Sequence, residues 1–388
     1  MPSLPVEILF WLSAGLIVWT QLGYALALAL ARGLIKHSSN ATTYDTSGTD
    51  QESPPLVSLI IAAHNEQSVI AAKVADALAL DYPRERLEVI VACDGCTDQT
   101  AERARQAGAN TVLELERSGK IRAQDAAVST ASGEILAFSD ANSLWEPGAL
   151  MRLVSAFEDP RVGYACGQVH FVQASTGATN QEGIYWRYEM WVRALESRLC
   201  SITAGNGAIY ATRRESYLVV DPVMGHDLSF PFNMVKRGLR AVYVSDARAQ
   251  EKMVPSIEGE FARKRRMMAH TWPIVLKGGM LSPRGYGLGY AAMILSHRLL
   301  RYSSPGLHAL ALLANVLLLF AGAGTVYWAA LIAQLALLVA AALGGLIGTR
   351  PLLLARYYVL TTASPAAGLW DWLRHGVSPS WEAAEGTR

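Results

Sequence analysis

Apolar positions in this chain fall into two kinds of run: long uncharged stretches near both ends, and short β-branched stretches alternating with helical patterns between them. From Ile8 to Leu30 no charged side chain occurs, which at about 1.5 Å per residue is enough to cross a hydrocarbon core of about 30 Å. A second uncharged stretch, Leu307 to Ile347, is broken at Gly322-Ala323-Gly324 and predicts a helical hairpin. The segment from Tyr286 to Tyr302 mixes apolar residues with His297, Arg298 and Arg301. That pattern suits a helix lying among lipid headgroups or an ordinary amphipathic core helix. Met1 to Glu7 has no Lys or Arg, so the first run lacks the basic region of a cleaved leader and reads as an anchor that stays. Arg32 and Lys36 follow that run, Arg298 and Arg301 precede the hairpin, and Arg350 and Arg356 follow it. The positive-inside rule then puts these flanks in the cytoplasm and the N-terminus outside.

Residues 37–55 are mostly Ser, Thr, Asn, Asp and Gln, too polar to bury a core. The chain is thus expected to comprise an anchor (1–32), a linker (37–55), a cytoplasmic domain (56–277), an interfacial amphipathic segment (278–304), a transmembrane hairpin (305–348) and a cytoplasmic tail (349–388). In that tail, Trp370, Trp372 and Trp381 suit interface anchoring better than chemistry.

Within the domain, Val57-Ser-Leu-Ile-Ile-Ala-Ala63 is a strand pattern covered on both faces, followed by a helical pattern to Leu80. Leu87 to Ala92 repeats the strand signal, and Thr97 is expected to cap a helix through Glu102 to Gln106. Thr111 to Leu115, a helix after Gly119 and a strand from Glu134 to Ser139 continue the alternation. Strands alternating with helices predict a parallel α/β sheet, whose ligands bind beyond the strand C-terminal ends.

Composition narrows the options. The 388 residues are 51% hydrophobic with a formal net charge of +1, which supports partial residence in lipid and no general affinity for nucleic acid. The four cysteines, Cys93, Cys96, Cys166 and Cys200, lie in the segment read as cytoplasmic, where thiols stay reduced. Cys93-Asp-Gly-Cys96 has metal-pair spacing, but no second pair stands at zinc spacing, so two small residues flanking a turn is the better reading.

The ends of the four strands carry the chemistry: His64-Asn65-Glu66, Asp94, Gly119-Lys120 and Asp140-Ala141-Asn142. Acids can bind a base or ribose, a lysine can pair with phosphate, and an aspartate can hold a cation on a diphosphate. Their convergence predicts a nucleotide diphosphate site. The first strand leads into neither Gly-x-Gly-x-x-Gly nor a Walker loop, so dinucleotide binding and ATP-type phosphoryl transfer lack sequence support.

At these residues the chain resembles the inverting glycosyltransferase family 2, with its GT-A fold, over about 220 residues. Val57 to Glu66 looks like that family's opening strand and donor loop, implying donor contacts at Ala63, Asn65 and Glu66. Cys93-Asp94-Gly-Cys-Thr-Asp98 is similar to its Asp-Gly-Ser-x-Asp element, implying that Asp94 contacts the base. Gly119-Lys120 resembles the Gly-Lys beside the diphosphate, and Asp140-Ala-Asn142 stands where the family has the Asp-x-Asp that holds Mg²⁺ or Mn²⁺. Here Asn142 replaces a carboxylate, and an amide oxygen ligates a hard cation with less charge. Gly205-Asn206-Gly207 to Tyr210 resembles the acceptor-side strand. Gly225-His226-Asp227 stands at the family's Glu-Asp, implying acceptor contacts at Asn206, Gly207 and His226 and a general base at Asp227. Asp227 also suits a helix cap.

Phe261-Ala-Arg263-Lys-Arg-Arg266-Met267 occupies the place of the processive synthases' Gln-x-x-Arg-Trp. On a helix, Arg263 and Arg266 share a face and are expected at the donor phosphates, although such a cation run also suits solvent or headgroups. Met267 in the tryptophan's place and the few spans argue against chain extension. The resemblance thus implies a glycosyltransferase of bacterial polysaccharide or glycolipid type in the cytoplasmic membrane. It would take a nucleotide-sugar, UDP-linked by the family's general membership, and pass the sugar to a lipid-linked or glycan acceptor among membrane lipids. A processive synthase, a silent nucleotide-binding scaffold and a nucleotidyltransferase are the competing readings.

Overall fold

The computed structural model describes residues 4–34, 53–172, 180–252, 254 and 256–379. Lys36, Trp381 and the linker up to residue 52 lie outside the described residues. The chain opens with α1 (Leu4–Val18), which passes through a π-helical turn (Trp19–Gly23) into α2 (Tyr24–Leu34). The domain then runs β1 (Val57–Ala63), α3 (Ile70–Leu78), β2 (Leu87–Asp94), α4 (Thr100–Gln106), β3 (Thr111–Leu115), α5 (Lys120–Thr130) and β4 (Ile135–Asp140). Next come β5 (Leu144–Trp145), α6 (Ala149–Ser155), β6 (Val162–Val172), α7 (Asn180–Leu199), β7 (Ile209–Arg213), α8 (His226–Lys236), β8 (Arg240–Lys252) and α9 (Ile257–Leu276). The last part holds α10 (Leu288–Met293), a second π-helical turn (Ile294–Leu299), α11 (Leu300–Tyr302), α12 (Ser304–Phe320), α13 (Thr325–Ile347) and α14 (Arg350–His375).

The strands form one sheet in the order β3-β2-β1-β4-β7-β6-β8-β5. Every residue of β1 is buried. Val57, Leu59, Ile61 and Ala63 enter one core and Ile60 and Ala62 the other, the period-two division of a central strand. β1 pairs in parallel with β2 and β4, and β2 with β3. Beyond β4 the expected all-parallel sheet gives way to a mixed one, because β7 runs antiparallel to both β4 and β6. Three regular βα steps lead into β4, which ends at Asp140, and the chain later returns through α7 to the same end of the sheet at which β6 ended, so β7 runs opposite to β6.

A second correction concerns the helix expected to be capped by Thr97. It begins at Thr100, and the Asp98 carboxylate accepts the Thr100 amide at 3.0 Å. Asp98 stands close enough to take the donor that a Thr97 cap would serve.

Among the described residues, two helices, Leu4–Leu34 and Thr325–Ile347, are long and apolar enough to cross a membrane, and Leu288–Tyr302 with Ser304–Phe320 makes a third candidate bent by 64°. α13 exposes Trp328, Ile332, Leu335, Val339, Leu343 and Leu346, the surface expected against lipid. Phe10 of α1 packs with Ala314 and Leu318 of α12 and with Tyr327 of α13, while Asn315 donates to Gln334 at 3.1 Å across the hairpin. Tyr24, Ala25 and Leu28 of α2 join a different core with Val192, Phe232, Ile274 and Tyr290.

The region expected as a tail is mostly one helix, α14, laid against α9 and α13. Trp272 of α9 donates to the Pro365 carbonyl at 2.9 Å and Arg265 pairs with Asp371 at 2.6 Å. The crossing depends on Gly368, where a Cβ would meet the Ala269 nitrogen, the Arg265 carbonyl oxygen and the Met268 Cβ, each at 2.7 Å. Overpacking of this kind costs about 1–3 kcal/mol. Gly368→Leu is therefore expected to lower the melting midpoint in detergent by several degrees and red-shift the tryptophan emission as Trp272 loses its carbonyl. Unchanged melting and emission would show that the two helices do not need this close approach.

Candidate active site

The chain runs from β1 to β2 and β3 on one side and then returns to place β4 on the other side of β1. The switch point therefore lies between β1 and β4, where open α/β sheets form their ligand crevice. His64-Asn65-Glu66 leaves one side of it and Asp140-Ala141-Asn142 the other.

Asn65 has a left-handed backbone, φ 53°, which asparagine tolerates better than most residues. Its Oδ1 accepts the Thr97 amide at 2.9 Å, tying this loop to the turn after β2. The Glu66 amide donates to Thr100 Oγ1 at 2.8 Å, and its carbonyl accepts the Val69 and Ile70 amides. At the edge of that turn, the Cys96 thiol donates to the Ala63 carbonyl at 3.5 Å. The four cysteines are free thiols.

Asp94 is completely buried. Its Oδ1 accepts the Ser118 amide at 2.6 Å and the Gly119 amide at 3.0 Å, and Arg117 stands 3.9 Å from its Oδ2. The carboxylate thereby holds the loop that enters α5. That loop turns at Gly119, φ 98°, a value that favours glycine, and a Cβ there would collide with the backbone of Pro379 beyond α14. The next residue, Lys120, pairs with Asp140, their side chains 23% and 27% exposed. Burial works against the charged amine, but Asp140, with help from Asp227 and Glu251, holds its pKa above the ordinary lysine range.

The acceptor-side expectations divide. Gly207 faces the crevice, since a Cβ there would stand 3.4 Å from Lys120 Nζ. Asn206 uses both amide atoms on backbone: Nδ2 donates to Gly167 O at 2.6 Å and Oδ1 accepts the Ile209 amide at 2.9 Å. His226 is buried, with Nδ1 2.8 Å from the Tyr210 hydroxyl. Burial and then the Lys120 charge hold its pKa down to about 3, so the ring is neutral. Asp227 lies in the first turn of α8, whose N-cap is Gly225; it is not the capping residue. An acid in the first turn interacts favourably with the helix dipole, yet burial pushes the Asp227 carboxyl up.

The two expected phosphate-side arginines separate. Arg263 makes a forked pair with Glu260 at 2.7 and 2.8 Å, and its charge also reaches Glu251. Arg266 is exposed, and its charge falls on His270, which also senses Asp227. The arginines therefore bear on different parts of the crevice.

Glu251 is the residue that sequence reasoning missed. β5 pairs with β8 through Leu144↔Gln250, which puts Glu251 opposite Ser143, beside Asn142. Burial and then the neighbouring Asp140 charge push Glu251 up to about 7. Glu251 Oε1 is buried without a well-formed hydrogen bond, and the Ser143 hydroxyl across from it only partly offsets the upward shift. A buried, weakly partnered acceptor beside Asp140 and Asn142 fits a hard cation. Among the described residues no three His, Cys, Asp or Glu side chains could enclose a metal by themselves, so such an ion would also need ligand oxygens from elsewhere.

Comparison with known proteins bears on the family and the fold. In the curated set the chain is 27% identical over 256 residues to an N-acetylglucosaminyltransferase of Sinorhizobium fredii, covering 60% of this chain and 61% of that one. It is 31% identical over 143 residues to a beta-monoglucosyldiacylglycerol synthase of Nostoc sp., covering 35% of this chain and 29% of that protein. The chain thus spans less than two thirds of the length of these relatives. Among solved structures, a mannosyltransferase from Pyrobaculum calidifontis in complex with GDP-Man and Mn²⁺ superposes with a TM-score of 0.70 at 23% identity, covering 94% of this chain and 99% of that one. That likeness establishes the GT-A fold. The profile described as "Glycosyltransferase like family 2" matches residues 54–269, more than half of the chain, and the protein therefore belongs to that family.

Proposed function

We propose that this enzyme transfers a sugar from a nucleotide diphosphate donor, UDP-linked in the favoured case, to a lipid-linked acceptor at the membrane surface, with inversion at the anomeric carbon. The observation that carries the proposal is the meeting of Lys120, Asp140, Gly207 and Asp227 in one crevice at the sheet's switch point. In this reading Ala63, Asn65, Glu66 and Asp94 line the nucleotide end, and Lys120 offsets the diphosphate charge, with Arg263 near Glu251 as a more distant cation. The acceptor enters past Gly207 and His226. Its hydroxyl oxygen bonds to the anomeric carbon as the carbon–oxygen bond to the diphosphate breaks. Nucleoside diphosphate leaves, and Asp227 takes the hydroxyl proton. The upward shift of the Asp227 carboxyl makes it a better proton acceptor than an ordinary aspartate.

Asp140 and Asn142, with Glu251 beside them, would hold Mg²⁺ or Mn²⁺, a choice favoured by the weakly partnered Glu251 oxygen and by the Mn²⁺ of the Pyrobaculum enzyme. When bound, the cation neutralises charge on the departing diphosphate. A lipid acceptor is favoured by the apolar helices joined to the domain and by the name of the Nostoc relative. The domain would face the cytoplasm of a bacterium with the N-terminus outside, as the flanking arginines suggest.

The first test is nucleoside diphosphate release by solubilised protein over a panel of UDP- and GDP-sugars, with Mn²⁺ and a membrane lipid extract. One donor is expected to turn over, and Asp227→Asn should cut acceptor-dependent release by about 10²–10⁴-fold with donor affinity retained. Binding without release in the wild type, or full activity in Asp227→Asn, would overturn the reading.

The second test concerns Glu251. Its carboxyl protonates as pH falls through about 7, so the Mn²⁺ concentration for half-maximal activity should rise between pH 8 and pH 6. Glu251→Gln should need more Mn²⁺ at pH 8, about tenfold, and lose part of that pH dependence. An acid whose folded pKa is raised removes stability as pH rises through that pKa. The metal-free variant should therefore melt above wild type at pH 8 and close to it at pH 5. Identical Mn²⁺ titrations and melting curves would remove Glu251 from the cation site.

A further inference from the structure

A buried polar cluster connects the N-terminal helix to the crevice, and the transfer mechanism makes no use of it. Its centre is Glu196 of α7, completely buried. Tyr24 of α2 donates to its Oε1 at 2.6 Å, and His297 Nδ1 lies 2.7 Å from the same oxygen. The other oxygen accepts both the Thr203 amide and the Thr203 hydroxyl at 3.0 Å. Arg298 completes the set, its Nε donating to Thr203 Oγ1 at 2.8 Å. A flanking carboxylate, Glu189, pairs with Arg301 and stands 3.4 Å from His297 Nε2.

His297 and Arg298 lie in the π-helical turn Ile294–Leu299. A second π-helical turn, Trp19–Gly23, precedes Tyr24, and Tyr188 of α7 donates to the Gln21 carbonyl there at 2.9 Å. Such turns realign the side chains that follow them. Here both bring polar groups of membrane-proximal helices onto α7. Removing one partner from a buried charge is costly, so a carboxylate with this many partners is held in one place.

What Glu196 holds in turn is Thr203, at the head of the segment that reaches the crevice. Two residues on, the Gly205 amide donates to the Asp227 carbonyl at 2.7 Å and the Gly205 carbonyl accepts Arg193 Nη2 at 3.0 Å. Gly207 then faces Lys120. A continuous path thus runs Tyr24, Glu196, Thr203, Gly205, Asp227.

We propose that Glu196 is a positioning residue: through Thr203 it locks the inner end of the N-terminal helix to the 203–207 segment. The seating of that helix thereby sets where Asp227 and Gly207 stand relative to Lys120. The proposal rests on the assignment of the crevice to sugar transfer. It predicts an effect on the acceptor half of the reaction, because the nucleotide end, built on β1, β2 and the Asp94 loop, has no part in the path. A carboxylate that served only folding would show no such division.

The test uses the full chain in nanodiscs with the donor that wild type turns over. Thr203→Val removes the hydroxyl at nearly constant shape, Thr203→Ser restores it, and Tyr24→Phe removes only the phenol oxygen. Thr203→Val is expected to lower kcat for acceptor-dependent transfer about tenfold, with donor KM within twofold of wild type. Thr203→Ser should recover most of the loss, and Tyr24→Phe should show a smaller loss that adds little to Thr203→Val in the double variant. Amide hydrogen exchange at 203–207 should quicken in Thr203→Val and Tyr24→Phe while 94–120 stays unchanged. Wild-type kcat in both variants, a donor KM that rises in step with the loss, failure of Thr203→Ser to recover, or unchanged exchange at 203–207 would each overturn the proposal. Should Thr203→Val fail to fold, Tyr24→Phe decides by the same readouts. A wild type that turns over no donor would defeat the transferase reading instead, and the exchange comparison would still decide whether the anchor holds the 203–207 segment.

Discussion

The charge pair between Lys120 and Asp140 is the interaction on which the crevice depends. It joins the first turn of α5 to the end of β4, and its amine also lies within electrostatic reach of Asp227 and Glu251. Lys120 is the cation common to all three carboxylates, while Arg263 lies near Glu251 and Arg193 near Asp227, in a partly desolvated space where like charges resist ionisation together. Burial is the first cause of the upward shifts at Glu251 and Asp227, and the Asp140 charge adds to each. The same crowding of carboxylates suits the site to a divalent cation and makes its geometry sensitive to anything that moves Lys120. The loop before Lys120 is accordingly held hard, by Asp94 on the Ser118 and Gly119 amides and by the close approach of Pro379.

Much of this was legible in the sequence. β1 alternates its apolar residues between two cores, β2 and β4 repeat the signal, and the polar residues at the strand ends are those the switch point gathers. Asn206 and Arg263, expected at the acceptor and at the donor phosphates, have side chains engaged by Gly167, Ile209 and Glu260, local pairings that a motif cannot reveal. Glu251 was invisible for a different reason. It sits near the end of β8, a strand of mixed polarity, and its meeting with Ser143 depends on the register of a two-residue strand, Leu144–Trp145. The mixed half of the sheet escaped likewise, because strand direction beyond β4 follows from where α7 leads the chain and not from periodicity. The packing of α14 turns on one small residue, Gly368, whose importance lies in the backbone of α9.

The two ends of the N-terminal helix belong to different cores. Phe10 sits with Ala314, Leu318 and Tyr327 of the hairpin, whereas Tyr24, Ala25 and Leu28 sit with Val192, Leu228 and Phe232 of the domain. A helix gripped in this way acts as a strut: sliding the domain along it would break Tyr24 from Glu196 at one end or Trp11 from Tyr327 at the other. The π-helical turn Trp19–Gly23 lies between the two grips, where a change in helical phase lets each end face its own partners. The height of the crevice relative to the apolar helices is then set by the covalent length of one helix. An acceptor carried by the bilayer would meet Gly207 and Asp227 at a constant depth, with no search along the membrane normal. In the proposed reading, a displacement between a dissolved donor and a membrane-borne acceptor would need that constancy, since reacting atoms must approach to about 3 Å in line before the reaction can begin.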